Sequence, residues 1–161
     1  MVSDTSRRRW LRSMIAAAMG TLIAVGAAFA QQRGTEAEAQ KMVQDAIAHV
    51  KQVGAQKAFE DFSARDGKWQ HKDLYVFCYN MTGTCVCQGD NRALIGKNLF
   101  DFKSPDGQYI FRKMAEASQS QGSGWMEYQW VDPMTKKMTT KRTFFTKIPG
   151  YEGYLGVGIF K

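Results

Sequence analysis

The chain has 161 residues, 44% of them hydrophobic and 23% charged, with a formal net charge of +7. That balance suits one globular domain with a real core and excludes a disordered or collagen-like chain. Beyond the first thirty residues the basic side chains are scattered, with no run longer than Lys136-Lys137 or Lys141-Arg142. The concentrated basic face of a nucleic-acid groove is therefore excluded.

Residues 1–30 have the three parts of an export signal: basic "SRRRWLRS", the apolar run "MIAAAMGTLIAVGAAFA", and the small-x-small ending Ala28–Ala30. Within it, Arg7-Arg8-Arg9-Trp10-Leu11-Arg12 is similar to a twin-arginine signal, with Trp10 where phenylalanine is usual. The alternative is an uncleaved membrane anchor, since a run of about seventeen residues sits at the lower edge for spanning a bilayer. Cleavage is the expectation, with residues 31–161 left as one domain in a bacterial periplasm. Losing Arg7, Arg8, Arg9, Arg12 and Asp4 from the 22 basic and 15 acidic residues leaves 18 and 14, a net charge of +4.

After the tail Gln31–Gly34, Thr35 and Glu38 have the spacing of a capping box. Met42, Val43, Ala46, Ile47, Val50 and Val53 follow as one helical stripe, and Gly54 supplies a stop. Ala55 to Phe62 forms a second short helix burying Ala58, Phe59 and Phe62, and "SARDGKWQHKD" is loop. Strands Leu74–Tyr79 and Thr84–Gln88 flank the turn "NMTG", whose Asn80 and Gly83 are tight-turn residues. "NRALIGKNLFDF" reads as a short helix running into loop. Ser104-Pro105-Asp106 has the pattern of an N-cap, an N1 proline and a first-turn acid. It predicts a helix to about Ser120 with Ile110, Phe111, Met114 and Ala117 inward. Strands Trp125–Val131, Met138–Lys147 and Tyr154–Phe160 complete the chain, separated by the breakers "DPMTKK" and "IPGYEG". The order predicts an α+β domain with a five-stranded antiparallel sheet.

Three stretches in sequence, "DLYVFCYNMTGTCVCQGDNRALIGKNLFDFKSPDGQYI", "GSGWMEYQWVDP" and "KRTFFTKIPGYEGYLGVGIFK", resemble the single Cache domain. The resemblance runs from about Thr35 to Lys161. It implies a PAS-like sheet with a long N-terminal helix and short flanking helices, as in the extracellular sensors of bacterial chemoreceptors and sensor kinases. It further implies a small-molecule pocket on the sheet, commonly for short carboxylates, and no cofactor. In receptors of this kind binding shifts the long helix. Here the sequence stops at Lys161, directly after the last strand, so the expected signalling partner is a separate membrane sensor kinase, chemoreceptor or transporter. Two departures bear on the ligand: Phe144 stands where tyrosine is frequent, and Cys87 and Gln88 stand where alanine and histidine are frequent.

Strand alternation puts Met126, Tyr128 and Trp130 on one face and Trp125, Glu127 and Gln129 on the other. Trp125 follows Gly122-Ser123-Gly124, where the backbone has freedom to turn the indole towards the mouth shared by Tyr128 and Trp130. Each aromatic is either core or pocket wall; the resemblance favours a pocket, because small-ligand sites are mostly apolar with a few placed donors. Lys141 matches the family's pocket lysine, with "KRT" for its K-x-S/T, and its ammonium beside Tyr and Trp donors suits a carboxylate. The alternative is a solvated strand lysine, with Arg142 pointing the opposite way. Tyr75, Phe77 and Tyr79 share a face as core or as pocket floor.

With "NMTG" as the turn, Cys78 lies opposite Cys85, about 4.5–5.5 Å away at Cα and within disulfide reach. An oxidising periplasm permits that bond and leaves Cys87 free; three buried thiols is the alternative. Cys85-x-Cys87 is too short for a zinc ligand pair, and no Cys-x-x-Cys-His or catalytic set stands out, so neither metal, haem nor enzyme is expected. Two rivals to a binding module stay open: a redox or metal-handling protein using Cys78, Cys85 and Cys87, and a non-binding module that forms a homodimer.

Overall fold

The computed structural model describes residues 33–65 and 67–161. The export signal expected at residues 1–30 lies outside them. Helix α1 spans Glu36–Val53 and helix α2 Ala55–Phe62. At the start of α1 the Glu38 backbone N–H donates to Thr35 Oγ1 at 3.2 Å, and the Thr35 N–H donates to the Glu38 carboxylate at 2.8 Å. Orphan donors of the first turn are thereby satisfied reciprocally. Lys72 Nζ also reaches Glu38, at 2.6 Å, and holds its carboxyl down at about 2. Ala39, Val43, Ala46 and Val50 form the buried stripe, whereas Val53 at the end of the helix is exposed. Gly54, at φ 84, ends α1 and immediately opens α2.

Strands β1 (Gln70–His71) and β2 (Leu74–Tyr75) form a small hairpin within what the sequence suggests is loop and the start of one long strand. The break falls at Val76, and β3 runs Phe77–Asn80 against β4, Cys85–Gln88. A 3-10 turn at Arg92–Leu94 follows, then helix α3 (Ile110–Gln121) and the meander β5 (Ser123–Val131), β6 (Met138–Lys147) and β7 (Gly153–Phe160). The five-stranded sheet has the order β4-β3-β7-β6-β5 and is antiparallel throughout. One face packs on α1 and α2 through Phe59, Phe62, Val76, Leu155 and Val157; the other packs on α3 through Tyr79, Phe111, Met114, Phe145 and Tyr154.

Two local expectations are corrected. Ser104-Pro105-Asp106-Gly107 does not open α3. It is a turn closed by the Gly107 N–H to the Ser104 carbonyl at 2.8 Å, with Gly107 at φ 83 and proline at the second position. The helix begins at Ile110, after Tyr109, with no side-chain cap.

The hairpin register also differs. The Asn80 N–H donates to the Thr84 carbonyl at 2.9 Å, so three residues, Met81–Gly83, form the loop, with Gly83 at φ 83. Tyr79 pairs with Cys85, and a bulge then shifts the ladder so that Cys78 lies opposite Cys87. The disulfide accordingly joins Cys78 to Cys87, with Cα atoms 4.8 Å apart, and Cys85 is the free, buried thiol. A bulge inserts one residue and breaks the two-residue alternation. Cys85 therefore faces the α3 side with Tyr79, while Cys87 joins Cys78 on the α1 side.

Candidate functional site

Lys141 lies in the regular part of β6, opposite Tyr128 on β5 and Phe160 on β7. Its alternation with Arg142 sends it to the α3 side, where it is only 1% exposed. Room for its stem comes from β7: a Cβ at Gly158 would run into Thr143 Oγ1 and the Lys141 Cε, and one at Gly156 would meet the Phe77 ring at 2.7 Å. The glycines of "YLGVGIF" thus form the trough in which Lys141 lies.

Lys141 Nζ donates to the Tyr75 hydroxyl at 2.7 Å and sits 4.0 Å from the Tyr75 ring centroid, with the Phe160 and Phe77 rings at 4.9 and 5.4 Å. Among the described residues it has no carboxylate within ion-pair distance. Burial without a counter-charge pushes the ammonium down to about 7, only partly opposed by the more distant Asp90 and Asp73. Burial likewise raises the Tyr75 and Tyr128 phenols, and Tyr128 exchanges a 3.0 Å hydrogen bond with Thr143 Oγ1. The Tyr75 hydroxyl, having accepted from Lys141, keeps its own proton to donate.

Tyr75 is also the partition between two cavities. One, of about 520 Å³, is walled by Tyr75, Gln88, Asp90, Phe102, Trp130 and Met138, with Asn91, Leu94, Gln129, Val131, Pro133 and Lys136 completing its lining. The other, of about 450 Å³, is more polar and carries Arg65, Gln70, Lys72, Asp73 and Arg92 beside the shared Tyr75, Asp90, Asn91 and Pro133. Trp130 meets Phe102, Phe111 and Tyr128 edge-on at 5.8, 5.8 and 6.1 Å.

Of the seven residues singled out in sequence, Tyr75, Phe77, Tyr128, Trp130 and Lys141 thus converge. Tyr79 lies deeper, packed against Phe111 at 4.4 Å between ring centroids, and its buried hydroxyl has no hydrogen-bond partner among the described residues. Trp125 belongs elsewhere: it packs on Phe144 at 5.2 Å, under the Arg142 guanidinium at 4.9 Å, on the face that carries α1. The pairing from Ser123↔Thr146 to Val131↔Met138 is unbroken, so strict alternation holds and the glycines before Trp125 do not re-aim it. Asp90, Asn91, Leu94, Phe102, Pro133 and Met138 are walls that residue-by-residue reading missed. Asp90 also places an acid at a site where only donors were expected.

Arg33 ties this region to the start of α1. Its guanidinium bonds Asp73 at 3.2 Å and Asp132 at 2.6 Å, and the Gly34 N–H donates to Asp73 at 2.6 Å. Both carboxylates are buried, and Arg33 holds that of Asp132 well below the usual carboxylate range.

A helix-flanked five-stranded antiparallel sheet, with a cavity whose Tyr75 wall is backed by Lys141, has the architecture of the PAS-like sensor-domain class. The family model described as "Single Cache domain 2" matches residues 3–161, and the chain belongs to that family. Similar solved folds include a methyl-accepting chemotaxis protein from Vibrio parahaemolyticus, 22% identical with a TM-score of 0.66, covering 77% of this chain and 86% of that one. Another is a Cache chemosensory domain described for its recognition of carboxylic acids, 20% identical with a TM-score of 0.64, covering 77% and 91%. In sequence, the chain is 28% identical over 89 residues to the methyl-accepting chemotaxis protein CtpM of Pseudomonas aeruginosa. The match covers 55% of this chain but only 16% of that receptor. Among the described residues no helix is long and apolar enough to cross a membrane, and no cluster of three metal-ligating side chains occurs.

Proposed function

We propose that the domain, residues 31–161, is a periplasmic binding module that captures a short organic acid and reports it to a membrane signalling or transport partner. The observation that carries this reading is Lys141: a buried ammonium that donates to the Tyr75 hydroxyl behind a cavity wall. A bare charge in such a place is costly unless something compensates it. A carboxylate that accepts from Tyr75 sits one side chain from the ammonium and supplies that compensation, and Trp130 walls the same cavity. The carboxylic acid recognition described for a structural neighbour supports the ligand class. The chemotaxis relatives support a membrane partner. Export through the twin-arginine route, with cleavage after Ala30, supplies the compartment.

Calorimetry and thermal shift with C2–C4 carboxylates test the reading. Heat and a raised Tm with at least one acid, lost in Lys141→Met, are the expected results. A flat panel for a folded protein ends the proposal. The redox alternative has less to stand on, because burial pushes the free Cys85 thiol up to about 11, away from the reactive thiolate.

A further inference from the structure

Five large apolar side chains stand exposed among the described residues, and three of them, Phe102 at 39%, Val131 at 45% and Met138 at 51%, line the same cavity as Tyr75. With Leu94 and Trp130 they are the apolar part of a lining that also carries Gln88, Asp90, Asn91, Gln129 and Lys136. Contiguous exposed apolar surface of this kind marks a place where something binds. A concave shape of about 520 Å³, inside the roughly 300–1,000 Å³ typical of small-molecule sites, points to a small molecule over a protein surface. An acid of four carbons or fewer, held at Tyr75, leaves this wall in water.

We infer that the preferred occupant is an amphipathic carboxylate. Its acid end meets the Tyr75 hydroxyl backed by Lys141, and a linear or aryl-alkyl body lies along Trp130, Phe102 and Met138. The inference rests on the carboxylate reading above and changes only what the carboxylate is attached to. Two features set the polarity of the ligand. Among the described residues the one buried cation, Lys141, lies behind Tyr75; Lys136 also lines the cavity, but it is exposed and its charge is screened by water, so the desolvated end that favours an anion is the inward one. The rim residues Val131 and Met138 are paired as the last rung of the β5–β6 ladder, so the apolar end lies at the turn end of that ladder.

The test is a calorimetric series on the 31–161 domain: acetate, butanoate, hexanoate, octanoate and 3-phenylpropanoate, with 1-octanol as the neutral control. Each buried methylene corresponds to roughly a fourfold gain in affinity. Affinity should therefore climb about fourfold per carbon from butanoate until the wall is filled, with octanol inert. Met138→Ser should lower octanoate affinity about fourfold to tenfold, while Val53→Ser, an exposed apolar substitution at the far end of α1, should leave the series unchanged. If acetate and butanoate bind and affinity is level or falls with length, the amphipathic ligand is refuted and the short-acid reading survives. If no acid of any length binds a domain shown to be folded by its melting transition, both fall. Octanol binding as well as octanoate would refute the inward carboxylate.

Discussion

Replacing Lys141 with methionine should make the ligand-free protein more stable, with a pH dependence that identifies the cause. The lysine is folded with its ammonium at about 7 against 10.5 for the ordinary group. Below pH 7 it is charged in both the folded and unfolded states, so the full burial cost is present. Between about pH 7 and 10.5 the unfolded chain holds a proton that the folded chain has released, so stability rises with pH. This proton linkage is worth about 1.4 kcal/mol per pH unit, which sets the cost at about 5 kcal/mol at pH 6 and about 2 kcal/mol at pH 9. Methionine fills a similar volume but loses the hydrogen bond to Tyr75 and the cation–π contact to its ring, together about 2 kcal/mol. The net gain is about 3 kcal/mol at pH 6, or roughly 10 °C in Tm for a domain of this size, and only about 1 kcal/mol at pH 9, where the folded amine is neutral and has no cation–π contact to lose. Urea titrations at the two pH values measure it. A variant less stable than the parent at pH 6, or equally shifted at both pH values, would falsify the picture of an uncompensated buried charge.

The same titration governs binding: an anion taken up at Tyr75–Lys141 needs the ammonium, so carboxylate affinity should fall up to tenfold per pH unit above about 7 and be level below it. Calorimetry from pH 6 to 9 checks this, and a profile flat to pH 9 removes Lys141 from the site. Arg33→Ala strips the counter-charge from the buried Asp73 and Asp132, and should cost about 2–3 kcal/mol at pH 7 after allowance for the partly exposed guanidinium. Because Arg33 depresses Asp132, that loss should shrink as pH falls below about 4; a loss independent of pH would point to packing instead. Breaking Cys78–Cys87, a bond between residues nine apart, should cost about 3 kcal/mol on reduction or in Cys78→Ser/Cys87→Ser. Thiol titration of the denatured oxidised protein should find one thiol per chain; three would contradict the bond.

The sheet, the helix α1 with its capping box and the three-stranded meander were legible in sequence because each rests on local periodicity and local capping. Tyr128 and Trp130 were legible as a pair for the same reason, since alternation along one strand assigns them a common face; Lys141 was singled out by its match to the family's lysine. Where an extra residue breaks alternation, that logic inverts. The bulge between Cys85 and Cys87 moved the disulfide by two positions. For Trp125 the error ran the other way, because glycine permits a departure from the pleat but does not enforce one. Ser104-Pro105-Asp106-Gly107 fits a helix start and a turn equally well in sequence, and only the closing bond to Ser104 separates them.

Patterns spanning a few residues thus determined which segments are helix or strand, and which side chains turn inward. Chain crossings decided the rest. Asp90 and Phe102 lie in the long connection between β4 and α3 and Met138 starts β6, so they meet only when that connection folds back along the sheet. The lysine of "TTKRT", which sequence leaves open to a pocket or to solvent, is buried because two glycines one strand away leave a trough for it. No short-range rule contains that fact, since burial of a charge depends on the shape of the neighbour it lies against.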